Sequence, residues 1–247
     1  MSQPDSVAAP AWALRLRRFN DWMLFDLGGG PRPLKLATVI NLQKAGSFPL
    51  LALLMWHYSG VTPAATSTAA WLYLAMHGSY GLTWLLKDRL FPDPNWQRRA
   101  TVGSCVVAAF GLGLYWLAGW LLISGTVVPR YPLPEGAWFC LCVSLCILGC
   151  VTMMAADVQK SVTLRLRRGL ITDGMFRWVR HPNYLGEMMV YGSLALMVWH
   201  WIPAAVLAYY WLALFATNMA MKEASMSRYP EWAAYRSRTW WLVPGIF

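Results

Sequence analysis

The sequence predicts an all-α protein, a polytopic membrane bundle of about six (six to seven) transmembrane helices. Of its 247 residues, 57% are hydrophobic and only 13% are charged, whereas soluble domains carry about a quarter charged residues. The chain also contains 16 Trp and 11 Tyr, residue types that are enriched where membrane helices meet the lipid headgroups. Both observations favour the bilayer as the solvent of this chain.

Six apolar stretches define the predicted spans. About 20 apolar residues cross a hydrocarbon core of ~30 Å, and most of the stretches reach that length. The last two are shorter and share the tip His200–Pro203, which predicts a tight helical hairpin. The six stretches are 36–59, 66–86, 101–126, 136–156, 185–201 and 202–220.

The distribution of Lys and Arg predicts the orientation of these spans. Basic residues are concentrated before the first span, in alternate connections and after the last span, whereas the opposite connections contain only Arg130. The positive-inside rule gives this pattern for six spans with both termini in the cytoplasm, in a bacterial inner membrane or the endoplasmic reticulum. Topology and anionic lipid therefore explain the net charge of +10, and we expect no nucleic-acid partner.

The chain shows no repeat and no linker that would separate domains. Residues 1–35 are predicted to be an N-terminal interfacial segment, because 12–30 is basic, aromatic and amphipathic. Residues 36–247 are expected to form one membrane-embedded domain, which could function as a monomer. Three cysteines share a helix face without a nearby His cluster, so they are interpreted as helix-packing residues and no metal site is expected. They are Cys142, Cys146 and Cys150.

Polar side chains inside the first two spans are candidate functional residues, because such groups are costly in a membrane helix. The first span carries Gln43 and Lys44, for which an interfacial position is the alternative interpretation. The second span carries a stripe of polar-tipped aromatic residues at helical spacing, which suits either the wall of a ligand pocket or a packing seam between helices. The stripe consists of Tyr73, His77, Tyr80 and Trp84.

A second group of polar residues lies towards the basic side of the later spans. Arg180–Glu187 opens the fifth span, where Pro182 fits the first turn of a helix and Glu187 brings a carboxylate into the apolar run. The tail ends in the apolar stretch 243–247, which predicts that it is docked and not free. These clusters outline a pocket that opens to the cytoplasm and reaches down between helices.

The connection 160–180 has six Lys and Arg residues, including Arg165, against one acid, Asp173. The sequence has neither a Rossmann glycine fingerprint nor a P-loop, so side chains must hold any phosphorylated ligand. NADPH carries a pyrophosphate and a 2′-phosphate, groups that Arg matches well. S-adenosylmethionine has no phosphate, and its sulfonium prefers acids or aromatic rings. The loop favours NADPH, although the positive-inside rule alone could place the same charges there.

Four stretches of the chain resemble a known superfamily. Phe176–Glu187 resembles the C-terminal signature of the steroid 5-alpha-reductases and sterol reductases, and its core Arg-His-Pro-x-Tyr-x-Gly is shared with the isoprenylcysteine carboxyl methyltransferases. Asp157–Lys160 and Leu242–Phe247 are similar to further reductase stretches, and Leu42–Phe48 resembles the reductase segment Leu-Gln-Glu-Leu-Pro-Ser-Phe.

The resemblance implies NADPH between the last helices and a lipid-like enone in a membrane cavity. It implies that the cofactor site is lined by Asp157, Lys160, Arg180, His181, Asn183, Glu187 and Asn218. Further cofactor candidates in the same region are Arg165, Trp178, Tyr184, Lys222 and Tyr235. The substrate-binding candidates are Gln43, His77, Tyr80 and Trp84, and the catalytic candidates are Gln43, Lys44 and Tyr80.

Two departures from the family pattern bear on the substrate. Where the steroid 5-alpha-reductases have a Glu that binds the 3-keto oxygen, this chain has Lys44, and Lys222 replaces an aromatic residue on the last helix. We therefore expect NADPH-dependent reduction of an activated C=C bond in a steroid- or lipid-like enone, with the substrate itself open. One alternative is a membrane methyltransferase, a class that usually pairs two acids where this chain has only Glu223. The other is a binding protein or transporter component, which inverted repeats would favour.

Overall fold

The computed structural model describes residues 8–246, which are mostly helical. Among these residues, two short strands pair in antiparallel fashion, β1 Leu34–Lys35 and β2 Arg99–Ala100. The helices are α1 Ala11–Asp21, α2 Leu36–Tyr58, α3 Thr68–Leu90, α4 Val102–Ile123, α5 Glu135–Leu166, α6 Pro182–Val198, α7 Trp201–Tyr210, α8 Ala216–Met226 and α9 Trp232–Ser237. A π-helical turn, Trp211–Phe215, joins α7 to α8.

Four helices are long and apolar enough to cross a membrane among the residues that the structure describes. They are Leu36–Tyr58, Val102–Ile123, Glu135–Leu166 and the continuous run Trp201–Met226. The mostly helical fold is confirmed, and its membrane character is supported. The predicted count of six to seven spans is not confirmed, because α6 has only 17 residues and α3 carries polar side chains along its length.

Helix α5 extends ten residues beyond the predicted span 136–156, because it ends only at Leu166. Asp157, Lys160 and Arg165 therefore lie on its last turns, and the connection to α6 begins later than the sequence suggested. The predicted hairpin lies close to its expected place. Helix α6 ends at Val198 and α7 begins at Trp201, so the turn is formed by Trp199 and His200, and only His200 belongs to the predicted tip.

The described chain forms two compact units. Unit 1 comprises the N-terminal residues up to Asn20, Gly149–Met188 and the chain from Tyr209 onward, and unit 2 comprises Asp21–Leu148 and Met189–Ala208. The single domain expected for 36–247 stays a prediction, because two compact units can belong to one domain.

The core of unit 1 includes the C-terminal tail. Tyr184, Phe215, Met219 and Leu242 form a buried cluster, against which Trp241 and Val243 pack. The tail is thus docked up to Val243. Phe247, the last residue of the predicted apolar end, lies outside the described residues. In unit 2, the buried cluster of α2 and its neighbours consists of Phe25, Leu36, Val39, Ile40, Ala100 and Ala108.

Gly186 marks a close approach of α6 to α5 within unit 1. A Cβ atom at this position would lie 2.5 Å from the Met153 backbone nitrogen and 2.6 Å from the Gly149 carbonyl oxygen. Backbone atoms cannot yield as a flexible side chain can, so we expect Gly186→Ala to destabilise the fold by roughly 1–3 kcal/mol. Gly136→Ala is the matched control, because its Cβ on α5 meets nothing within 4 Å.

Thermal unfolding of the two variants measures the difference. The midpoint should fall for Gly186→Ala, and it should stay or rise slightly for Gly136→Ala, since Ala is the better helix former. Equal midpoints for both variants would contradict the close packing of α6 on α5.

Candidate functional site

Arg180, His181 and Glu223 form a buried polar cluster in unit 1, which we call the Arg180 cluster. The first two residues lie directly before α6, and Glu223 lies on α8. The carboxylate oxygen Oε1 of Glu223 accepts hydrogen bonds from Arg180 Nε at 2.8 Å and from His181 Nε2 at 3.1 Å. Arg180 is 8% exposed, His181 is 2% exposed and the Glu223 side chain is 17% exposed, so this carboxylate is largely shielded from water.

Arg180 also holds the C-terminal tail. Its Nη1 donates to the carbonyl oxygens of Arg236 and Thr239 and to the Thr239 hydroxyl. The backbone reinforces this contact, because Arg180 N donates to the Trp240 carbonyl at 2.9 Å and Trp240 N donates to the Trp178 carbonyl at 2.8 Å. Nη2 donates to no residue within 8–246, so one side of the guanidinium stays available to a ligand.

Burial favours the neutral form of the His181 imidazole. Burial lowers the pKa of His181, and the hydrogen bond and charge of Glu223 act in the opposite direction without reversing the shift. The positive charges of Lys222 and Arg180 lower this pKa further. The lowered pKa of His181 favours a hydrogen bond from the neutral ring to Glu223 over an ion pair.

Two adjoining cavities open beside the Arg180 cluster. The first, of about 230 Å³, is lined by Arg180, His181 and Asn183 together with Lys160, Lys222 and Arg228. The second, of about 580 Å³, is lined by three arginines and one acid, namely Arg167, Arg168, Arg238 and Glu231. Gly169, Leu170 and Tyr229 line both cavities. The combined lining is strongly basic and suits an anionic ligand with more than one charged group.

Six of the predicted cofactor residues line these cavities. Five line the first cavity and one, Tyr235, lines the second. The five are Lys160, Arg180, His181, Asn183 and Lys222.

The other predicted cofactor residues lie elsewhere in unit 1. Trp178 is 67% exposed, and Arg165 is exposed on α5. Asn218 accepts a hydrogen bond from Arg17 of α1 at 2.9 Å, and Tyr184 lies in the core cluster with Lys222 Nζ 4.5 Å from its ring centroid. Asp157 and Glu187 are half-buried and are not among the residues that line the two cavities.

Unit 2 contains a buried lysine enclosed by aromatic rings. Lys44 is 3% exposed, and its Nζ donates a hydrogen bond to the Tyr191 hydroxyl. Four ring centroids lie within cation–π distance of this nitrogen. They belong to Tyr80 at 4.7 Å, Tyr191 at 4.8 Å, Trp84 at 5.1 Å and Tyr115 at 5.5 Å. We call these five residues the Lys44 cluster.

Two further predicted substrate residues lie in unit 2 with incomplete hydrogen bonding. Gln43 is 4% exposed, and neither its Oε1 nor its Nε2 has a hydrogen-bond partner in the described part of the chain. His77 is fully buried, its Nδ1 lies 3.3 Å from the Tyr73 hydroxyl, and its Nε2 has no partner among the same residues. Buried polar groups are normally satisfied, so both side chains suit a polar group of a bound ligand.

The stripe predicted on the second span takes part in two sets of packing contacts. Tyr80 and Trp84 belong to the Lys44 cluster, where their rings face the ammonium group. Tyr73 lies against Gly119 of α4, where an added Cβ would be 2.8 Å from its ring, as expected of a packing seam.

A comparison with protein families identifies the chain. A family model described as "Protein of unknown function (DUF1295)" matches residues 37–239. The chain belongs to the DUF1295 family. No curated protein matches it.

Three residues that were not among the predicted site residues belong to the clusters of this DUF1295 chain. Glu223 connects Arg180 with His181, and Tyr115 and Tyr191 complete the rings around Lys44. The sequence could have indicated Glu223, because it is an acid that directly follows Lys222 in an apolar helix. Tyr115 carried none, because a lone Tyr in an apolar span is most often a packing residue.

Proposed function

We propose that this protein is an NADPH-dependent reductase of an activated C=C bond in a steroid- or lipid-like enone. The observation that carries the proposal is the pair of adjoining basic cavities in unit 1, the first of which is lined by Arg180. The match to DUF1295, a family regarded as steroid 5-alpha-reductase-like, supports the same superfamily.

The residues of unit 1 fit the charges of NADPH. A dinucleotide phosphate carries a pyrophosphate and a 2′-phosphate, and each needs cationic partners where no glycine loop supplies backbone N–H groups. Arg180, Lys160 and Lys222 line the first cavity and would hold one of these groups. The three arginines of the second cavity would hold the other. Lys and Arg outnumber the single acid among the lining residues, which weighs against a cationic sulfonium ligand.

The residues of unit 2 fit a substrate carbonyl. When bound, NADPH would supply the hydride for the β-carbon of the activated double bond. Lys44 would donate a hydrogen bond to the carbonyl oxygen, on which negative charge develops during such a reduction. The Gln43 amide can bind the same oxygen through Nε2, and this would satisfy part of its unmet hydrogen bonding.

The aromatic rings of the Lys44 cluster exclude water from this lysine. A low local dielectric strengthens the interaction between an ammonium group and a developing enolate. The reduction is balanced by one proton on the α-carbon, for which Lys44 and Tyr80 are the candidate donors. Four helices with enough apolar length to cross a membrane are consistent with a substrate that dissolves in lipid.

Cofactor-dependent thermal stabilisation tests the proposal. Saturating NADPH should raise the unfolding midpoint of the purified protein, because a ligand at 100 times its Kd stabilises the native state by about 2.7 kcal/mol. S-adenosylmethionine at the same concentration should leave the midpoint unchanged. Stabilisation by S-adenosylmethionine and not by NADPH would overturn the reductase proposal in favour of a methyltransferase.

A further inference from the structure

A single carboxylate oxygen in unit 1 fixes two residues of the candidate cofactor cavity. Glu223 Oε1 accepts from both Arg180 Nε and His181 Nε2. The two donors line the first cavity, whereas Glu223 is not among its lining residues. Glu223 therefore acts on a ligand only through its neighbours, and the orientation of both neighbours depends on it.

For Arg180, this contact determines which part of the guanidinium can meet a ligand. Nε is bound to Glu223 and Nη1 is bound to the C-terminal tail. The guanidinium is a planar fork, so fixing two of its nitrogens also fixes the direction of the third, Nη2. An anionic oxygen is the matching partner of these two remaining N–H groups.

For His181, the contact determines the tautomer. A neutral imidazole has one N–H donor and one acceptor nitrogen. Since Nε2 faces the carboxylate, it carries the proton and Nδ1 is the acceptor. Nδ1 has no hydrogen-bond partner among residues 8–246. A lone pair on Nδ1 repels a phosphate oxygen and attracts a hydroxyl or amide N–H, so His181 and Arg180 recognise different parts of a ligand.

We propose that Glu223 is the positioning residue of this site, orienting Arg180 towards an anionic group and His181 towards a hydrogen-bond donor of the same ligand. The identity of that ligand as NADPH rests on the proposed function. The anionic group is then a phosphate and the donor is a ribose hydroxyl or the carboxamide N–H. The positioning itself rests on the contacts of Glu223 with Arg180 and His181.

The first test compares two substitutions at Glu223 by titration with NADPH. Glu223→Ala removes both hydrogen bonds, and we expect the Kd to rise about ten-fold or more, as for the loss of a hydrogen bond to a charged group. Glu223→Gln keeps an Oε1 acceptor in the same place, so the Kd should stay within about three-fold of the wild-type value. Equal losses in both variants would overturn positioning by hydrogen-bond geometry, and so would a wild-type Kd in Glu223→Ala.

The control for this titration is Glu135, an exposed acid in the first turn of α5. Glu135→Ala and Glu135→Gln remove the same charge from the protein and should leave the Kd for NADPH unchanged. A loss of affinity in these controls equal to that of Glu223→Ala would show that net charge, and not positioning, controls binding.

The second test determines the tautomer of His181 in the ligand-free protein. The chain has four histidines, so the signal of His181 in nitrogen-15 NMR of histidine-labelled protein is assigned by its loss in His181→Gln. We expect a proton on Nε2 in the wild type and in Glu223→Gln, and a tautomer mixture in Glu223→Ala. A proton on Nδ1 in the wild type, or no change in Glu223→Ala, would overturn the proposal.

The two tests separate this inference from the proposed function. If the wild type does not bind NADPH, the proposed function fails, and the NMR result still decides whether Glu223 positions His181. If NADPH binds and the NMR result is negative, the positioning role fails and the reductase proposal stands.

Discussion

Lys44→Met is expected to reduce turnover by roughly 100- to 1,000-fold, the loss seen when one donor to a developing oxyanion is removed. Met keeps the length and the apolar stem of the side chain but lacks the ammonium group. The Kd for NADPH should change by less than about two-fold, as for sites that share no contact partners, because Lys44 is not among the residues that line the two basic cavities.

Turnover is measured as NADPH oxidation with a panel of 3-oxo-4-ene steroids in detergent or proteoliposomes, using the compound that the wild type reduces fastest. Lys35→Met is the matched control, because Lys35 is exposed and binds Gln97 at 3.3 Å. An unchanged kcat in Lys44→Met, or the same loss in Lys35→Met, would contradict the role assigned to Lys44.

Arg180→Ala is expected to lower the free energy of unfolding by about 3–5 kcal/mol, the typical effect of leaving one partner of a buried ion pair uncompensated. The substitution removes the cationic partner of Glu223 and every side-chain hydrogen bond from Arg180 to Arg236 and Thr239. The tail should then be cleaved faster by trypsin at Arg236 and Arg238. Binding of NADPH should be lost at the same time, because Nη2 is removed.

Arg177→Ala provides the control, since Arg177 is exposed and its ring contact is with the neighbouring Trp178. Its unfolding midpoint, cleavage rate and Kd should stay close to the wild-type values. Arg180→Lys should not restore the tail contacts, because an ammonium group cannot reproduce the planar fork. If Arg180→Ala and Arg177→Ala had the same stability and the same cleavage rate, this result would contradict the anchoring of the tail by Arg180.

The candidate site in unit 1 could be predicted in large part, because its residues lie in a short motif. Arg180, His181 and Asn183 are consecutive or nearly so, and all three line the first cavity. Trp178 lies in the same stretch but points to solvent, since its backbone pairs with the tail at Trp240. Proximity in sequence does not show which side chains line the cavity and which residues contribute only backbone hydrogen bonds.

The length of α5 shows a second limit of prediction. Hydropathy ends the span near residue 156, because polar residues follow. The helix nevertheless continues to Leu166, since Asp, Gln, Lys and Arg are compatible with helix wherever the helix leaves the apolar environment. Hydropathy reports the solvent around a segment, and backbone hydrogen bonding decides where the helix ends.

By itself, the sequence determined the helical class, the apolar segments and the types of side chain available for chemistry, because these follow from local composition and periodicity. Only the tertiary structure decided that Glu223 bridges Arg180 and His181, and that Tyr80, Trp84, Tyr115 and Tyr191 enclose Lys44. These contacts join residues from 36 positions apart, for Lys44 and Tyr80, to 147 positions apart, for Lys44 and Tyr191. A hydrogen bond or a cation–π contact depends on distances of a few ångströms in the folded chain, and no local pattern in the sequence encodes such distances.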